Sequence, residues 1–123
     1  MCGITGYWGS VPPSEDVIRR MSDELITRGP DHGGVWLDVK SGLALGHRRL
    51  SVVDLSSSGN QPITSECSRY VLTYNGEIYN HLELRDELNR ATGEISWRGR
   101  SDTETLLQAL KYWGIKDCLP RLN

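Results

Sequence analysis

From Ile4 to Trp8 apolar and aromatic positions alternate with glycine and threonine, the period of a short strand, and Val11-Pro12-Pro13 then interrupts regular structure. Ser14 is placed to cap a helix with Glu15 and Asp16 in its first turn. Val17, Ile18, Met21 and Leu25 follow at helical spacing, and Gly29-Pro30 stops the run. From Gly33 to Asp54 the pattern predicts a β-hairpin: Val35-Trp36-Leu37, a turn near Lys40-Ser41-Gly42, then Leu43 to Leu45 and Leu50 to Val53 around an arginine-rich centre. Ser56 to Asn60 reads as a loop. Tyr70 to Tyr74, β-branched and aromatic throughout, is the best single strand in the chain and ends at Asn75-Gly76. A helix opens at Asn80, with Glu83 three residues on and Leu84 and Leu88 on one face, and ends near Gly93. In the last helix Ser101 and Glu104 form a capping box, Leu106, Ala109, Leu110 and Trp113 make the apolar stripe, and Gly114 terminates it.

At 123 residues the chain fits one modest domain, with no internal repeat, low-complexity tract or interdomain linker. A hydrophobic content of 37% allows a core with little to spare. The 14 basic and 16 acidic residues are scattered, and no basic block could neutralise a run of phosphates, which argues against nucleic-acid binding. Cys2, Cys67 and Cys118 are odd in number and form no C-x-x-C pair, so neither a disulfide framework nor a zinc site is expected, and a reducing cytosol fits. No apolar run approaches the roughly 18 residues of a membrane span, so a soluble, cytoplasmic protein without membrane anchor or signal peptide is the expectation.

Candidate chemistry begins at the second position. Removing Met1 would leave a thiol and a free α-amine on Cys2, a nucleophile and a base on one residue. An α-amino group in general titrates near roughly 7.7 to 8.0 and a thiol near about 8.5, values close enough for the two group types to exchange a proton. The structural alternative is a small apolar residue opening a strand. Asn75-Gly76 is a strong hairpin-turn pair, and equally a pair that can supply an asparagine amide and a backbone N–H to an oxyanion. Arg48 and Arg49 are adjacent in a strand, so one can enter a pocket and bind a carboxylate with its planar fork while the other is solvated. His47 reads as a surface or core-edge histidine. Asp102 opens the last helix, where the helix dipole alone would explain a carboxylate; functionally it is a counter-charge for an ammonium group, with Arg49 holding the carboxylate of the same α-amino acid. Arg28-Gly29-Pro30-Asp31 suffices as a helix stop and receives no chemistry from its spacing.

Five motifs in order, Cys2-Gly3-Ile4, Arg28-Gly29-Pro30-Asp31, His47-Arg48-Arg49-Leu50-Ser51-Val52-Val53-Asp54, Tyr74-Asn75-Gly76-Glu77-Ile78-Tyr79-Asn80 and Ser101-Asp102-Thr103-Glu104, closely resemble the glutaminase domain of glutamine-dependent asparagine synthetases. The resemblance spans Cys2 to about Glu104, with the segment from Leu106 to Asn123 similar to the family's next helix. Pro30, Glu77 and Tyr79 favour this branch over glucosamine-phosphate synthase and amidophosphoribosyltransferase. It implies an α+β fold of the N-terminal-nucleophile hydrolase type, a four-layer αββα sandwich of antiparallel sheets, with residues 1–123 as the N-terminal part of a type 2 glutamine amidotransferase domain.

Carried over residue by residue, the resemblance makes Cys2 the nucleophile, Arg49 the binder of the glutamine carboxylate and Asp102 that of its amino group. The Asn75 side chain and the Gly76 N–H become the oxyanion donors, and Glu77 contacts substrate. Glutamine would be hydrolysed through a thioester, with no metal or cofactor in this domain. The resemblance further implies a continuation beyond Asn123 into a strand completing the second sheet and then a synthetase domain using ATP and magnesium, both absent from this sequence. The expected partners are therefore glutamine and that synthetase domain, with a homodimer left open. The acceptor of ammonia is aspartate or another carboxylate. The competing expectation is a truncated, catalytically silent binding or assembly module.

Overall fold

The computed structural model describes residues 1–52 and 55–123. Its elements run β1 (Gly3–Trp8), α1 (Glu15–Asp23), β2 (His32–Asp38), β3 (Leu43–Arg49), β4 (Ile63–Thr64), β5 (Val71–Leu72), α2 (His81–Thr92) and α3 (Asp102–Cys118), with short 3-10 turns at Ser57–Gly59 and Leu119–Arg121. This is the α+β architecture of antiparallel strands and helices that the resemblance implies. Contacts gather into two compact units: Met1–Val52 with Asn60–Ile63 and Leu72–Asn75, and the described residues of 53–59 with Thr64–Val71 and Gly76–Asn123.

In the first unit β1, β3 and β2 form an antiparallel sheet in that order, and the register sets its two faces. Gly3 lies opposite Arg48, Thr5 opposite Gly46 and Tyr7 opposite Ala44. Helix α1 covers this face, because a Cβ at Gly46 would stand 2.8 Å from Thr5 and 3.4 Å from both Ile18 and Ser22. The alternate residues, Ile4 with His47 on β3 and Gly34 on β2, turn the other way. Gln61 lies against that second face: a Cβ at Gly34 would meet its carbonyl oxygen at 2.1 Å.

The hairpin turn falls where the sequence predicts it. Asp38 accepts from the Lys40 N–H at 3.0 Å and the Ser41 hydroxyl at 2.7 Å. Gly42 takes a φ of +71°, and a side chain there would collide with the Gly9 carbonyl. Beyond Arg49 the prediction fails: Leu50 to Val52 lie outside any strand, and Val53 falls outside the described residues. Helix α1 is also shorter than its apolar spacing suggests. Ser14 caps it through Val17, but after Asp23 the chain tightens into turns, with Leu25 N–H on Ser22 and Arg28 N–H on Leu25.

The strand expected over Tyr70 to Tyr74 shrinks to Val71–Leu72, paired with β4. Its flanking amides take side-chain acceptors instead: Tyr70 N–H donates to Ser65 Oγ at 3.0 Å and Tyr74 N–H to Gln61 Oε1 at 2.6 Å. In the second unit α2 packs on α3 through buried Leu84 and Leu88 on one helix and Leu106, Leu107 and Ala109 on the other. Every residue from Thr103 to Ala109 is buried, so the first half of α3 is enclosed on all sides rather than along the predicted stripe. Gly114, at φ 75° and ψ 170°, does break the helix, and the chain then resumes one more helical stretch to the buried Cys118.

Candidate functional site

Continuing the β1–β3 register by one residue sets Cys2 opposite Arg49, on the face away from α1. The Cys2 sulfur accepts from the Leu50 N–H at 3.3 Å, which fixes the thiol at the end of the ladder. Arg28 holds the same residue by its backbone, donating from Nε to the Cys2 carbonyl at 3.3 Å. Met1 is 77% exposed, while Cys2 is half-buried.

Arg49 is buried, and its Nη1 donates to Asn60 Oδ1 at 2.8 Å, so the guanidinium is anchored on the Cys2 face. Arg48 points the opposite way but is not solvated as expected. Its side chain is 11% exposed, with Nε on the Gly29 carbonyl at 3.0 Å and Nη1 3.5 Å from Asp23. Strand parity separated the two arginines correctly, yet α1 and the Gly29 turn claim the second. His47 is likewise no surface histidine: it is fully buried on the Arg49 face. Burial pushes its pKa down to about 4, with the positive Arg49 and His32 adding to the shift and the Tyr74 backbone opposing it. His32, across the ladder from Arg49, is lowered by burial and then by Arg49 and Arg48. Asn75 is exposed at the end of the segment that the Gln61 side chain holds through Tyr74.

In the second unit Gly76 and Glu77 are exposed and lead to the buried Ile78. The Ile78 N–H donates to Asp102 Oδ2 at 2.9 Å, which joins this segment to the start of α3. Asp102 is half-buried in the first turn of that helix, where the dipole favours its negative charge. Ser101 caps α3, its Oγ accepting from the Glu104 N–H at 3.2 Å. The capping box is only half made, because the Glu104 carboxylate turns instead to the N–H groups of Arg98 and Gly99. The hairpin alternative for Asn75-Gly76 is not realised: neither residue takes a positive φ.

Sequence reasoning missed several residues that position these groups. Arg28-Gly29-Pro30-Asp31 is more than a helix stop. Besides Arg28 on Cys2, the Asp31 N–H donates to the Arg49 carbonyl at 3.0 Å, and Asp31 Oδ2 accepts from the Ser51 N–H at 2.6 Å. An arginine and an aspartate flanking Gly-Pro, more polar than a stop requires, were the available signal. Asn60 and Gln61 carried no comparable signal inside a Ser/Gly/Asn loop.

A family model described as "Glutamine amidotransferase domain" matches residues 1–123. The chain is 41% identical to glutamine-hydrolysing asparagine synthetase 3 of Bacillus subtilis, over 100% of this chain and 20% of that protein. It is 38% identical to glutamine-hydrolysing asparagine synthetase 1 of the same organism, over 92% of this chain and 18% of that protein. The chain thus spans about a fifth of the length of the curated relatives it matches. Matched from its first residue to its last, the chain belongs to the glutamine amidotransferase domain family.

Proposed function

We propose that residues 1–123, as the N-terminal part of a type 2 glutamine amidotransferase domain, carry the groups that hydrolyse glutamine to glutamate and ammonia through a thioester on Cys2. The observation that carries the reading is the Cys2 thiol, fixed by the Leu50 N–H on the sheet face that also presents Arg49. Once Met1 is removed, the freed α-amine of Cys2 takes the proton from Sγ. The thiolate attacks the side-chain amide carbon of glutamine, and negative charge moves to its oxygen. The Asn75 amide and the Gly76 N–H are the donors assigned to that oxygen, a class of contact worth roughly 3 to 4 kcal/mol each. The ammonium at Cys2 returns its proton to the leaving nitrogen, the C–N bond breaks and ammonia departs. Water, deprotonated by the same amine, then cleaves the thioester to glutamate. Arg49 takes the α-carboxylate, Asp102 the α-ammonium, and Glu77 the substrate edge next to Gly76.

These groups need no cofactor for this half-reaction. Both relatives are named glutamine-hydrolysing asparagine synthetases and are about five times as long, which supports a synthetase domain in the same polypeptide. That domain would use ATP and magnesium to amidate aspartate with the released ammonia. Three free thiols support a reducing, cytoplasmic location.

The test is ammonia release from glutamine by the full-length, methionine-processed protein. Cys2→Ala should abolish it while amidation fed with free ammonia persists. Undiminished glutamine hydrolysis by that variant, or by a mature protein that mass spectrometry shows to retain Met1, would refute the mechanism.

A further inference from the structure

We propose that Arg85 and Glu104 are positioning residues that set the location of Asp102 and, through it, of the Gly76–Ile78 segment; the inference rests on the assignment of Asp102 to the substrate ammonium. Arg85 projects from α2 with its side chain 12% exposed. It donates from Nη1 to the Gly99 carbonyl at 2.9 Å, from Nη2 to the Ser101 carbonyl at 3.0 Å and from Nε to Thr105 Oγ1 at 2.8 Å. Its guanidinium lies 4.1 Å from the centre of the Trp97 ring. Glu104, 1% exposed, completes the arrangement from the other side. Its two oxygens accept from the N–H groups of Arg98 at 2.8 Å and Gly99 at 3.0 Å, and Oε2 stands 3.7 Å from Arg85 Nη2.

The loop before Asp102 is therefore held at two carbonyls, those of Gly99 and Ser101, through Arg85 and at two amides, those of Arg98 and Gly99, through Glu104. Capping α3 does not require this, since Ser101 Oγ already serves the Glu104 N–H. A buried ion pair is also a poor route to stability, because desolvation offsets most of its attraction. What the pair does supply is a fixed geometry for one short loop. The residue that follows this loop is Asp102, whose Oδ2 holds the Ile78 N–H at 2.9 Å. Displacing the loop moves the carboxylate and releases the segment containing Gly76 and Glu77, so recognition of the ammonium and placement of the oxyanion donor are mechanically linked.

In the full-length protein the readout is the ratio of kcat/KM for glutamine to that for 4-carbamoylbutanoate, which is glutamine without its α-amino group. Asp102→Asn tests the underlying assignment and should collapse the ratio; an unchanged ratio there overturns the role of Asp102 itself. Arg85→Lys keeps the charge but loses the planar fork on two carbonyls. It should lower the ratio by about 10-fold, because a site built to pair a polar group discriminates only while that pairing is aligned. The kcat for both substrates should fall together as the Gly76 donor shifts. Glu104→Gln should act in the same direction, and amide exchange at Ile78 should quicken in both variants. A folded Arg85→Lys or Glu104→Gln protein with the full ratio and unaltered Ile78 exchange overturns the proposal while leaving Asp102 in place.

Discussion

At the scale of single residues, space is the deciding quantity at Gly29. A Cβ there would lie 2.3 Å from the carbonyl carbon and oxygen of Arg48 and 2.6 Å from the Arg49 nitrogen, all backbone atoms that cannot step aside. Gly29→Ala should therefore destabilise the protein by about 2–3 kcal/mol and push the Arg49 backbone out of register. Gly9 offers the comparison: nothing lies within 4 Å of a Cβ built on it, and Gly9→Ala should stay within about 0.5 kcal/mol. Urea unfolding of the two variants decides the matter, and equal losses would refute the steric account. Alternation of side chains along a strand was enough to place Arg48 and Arg49 on opposite faces. The packing of the 28–31 turn against β3 was not legible, because it depends on which backbone passes within reach of a residue some twenty positions away. For the same reason Arg28, Gly29 and Asp31 read as punctuation when they hold the Cys2 carbonyl, the Arg48 side chain and the Arg49 carbonyl.

At the scale of elements, two helix starts that look alike in the sequence do different things. Ser101 and Asn80 each precede a helix with glutamate three residues on. Ser101 caps α3 through its Oγ, whereas Asn80 makes no side-chain bond to α2. Its amide instead spans the end of the chain, donating to the Arg121 carbonyl at 2.8 Å and accepting from the Asn123 N–H at 3.0 Å. Ser101→Ala should cost about 1 kcal/mol and loosen the first turn of α3, which carries Asp102. Asn80→Ala should leave the first turn of α2 as protected as before and expose the Asn123 amide to exchange. Hydrogen exchange resolves both, and fraying of α2 in the Asn80 variant would contradict the assignment. Local pattern thus located the helices, since capping residues and periodic leucines act within one turn. It overextended the strand at Tyr70 to Tyr74, since propensity is blind to a Ser65 or Gln61 side chain that captures the end amides.

At the scale of the molecule, the first unit draws on three separate stretches of chain, and no window of local periodicity can see that they meet. His47 records the consequence. Gly-His-Arg-Arg looks like a polar interruption of a strand, yet His47 is fully buried in this unit, with the Tyr74 backbone, Arg49 and His32 acting on its ring. Burial, reinforced by Arg49 and His32, holds its pKa down at about 4 against 6.5 for an ordinary histidine. Because the folded pKa is the lower one, the unfolded chain binds the extra proton first. The contribution of neutral His47 to stability is thus complete above about pH 6.5 and is lost as pH falls toward 4, where the folded ring also protonates. His32, lowered in the same direction, steepens the loss. A shift of this size corresponds to about 2–3 kcal/mol across the window. Urea midpoints measured from pH 7 to pH 4 should decline accordingly, and His47→Leu should flatten that decline even if it lowers stability at pH 7. A His47 ring that NMR finds titrating near its ordinary value, or a Leu variant with the same acid slope, would remove His47 as the source.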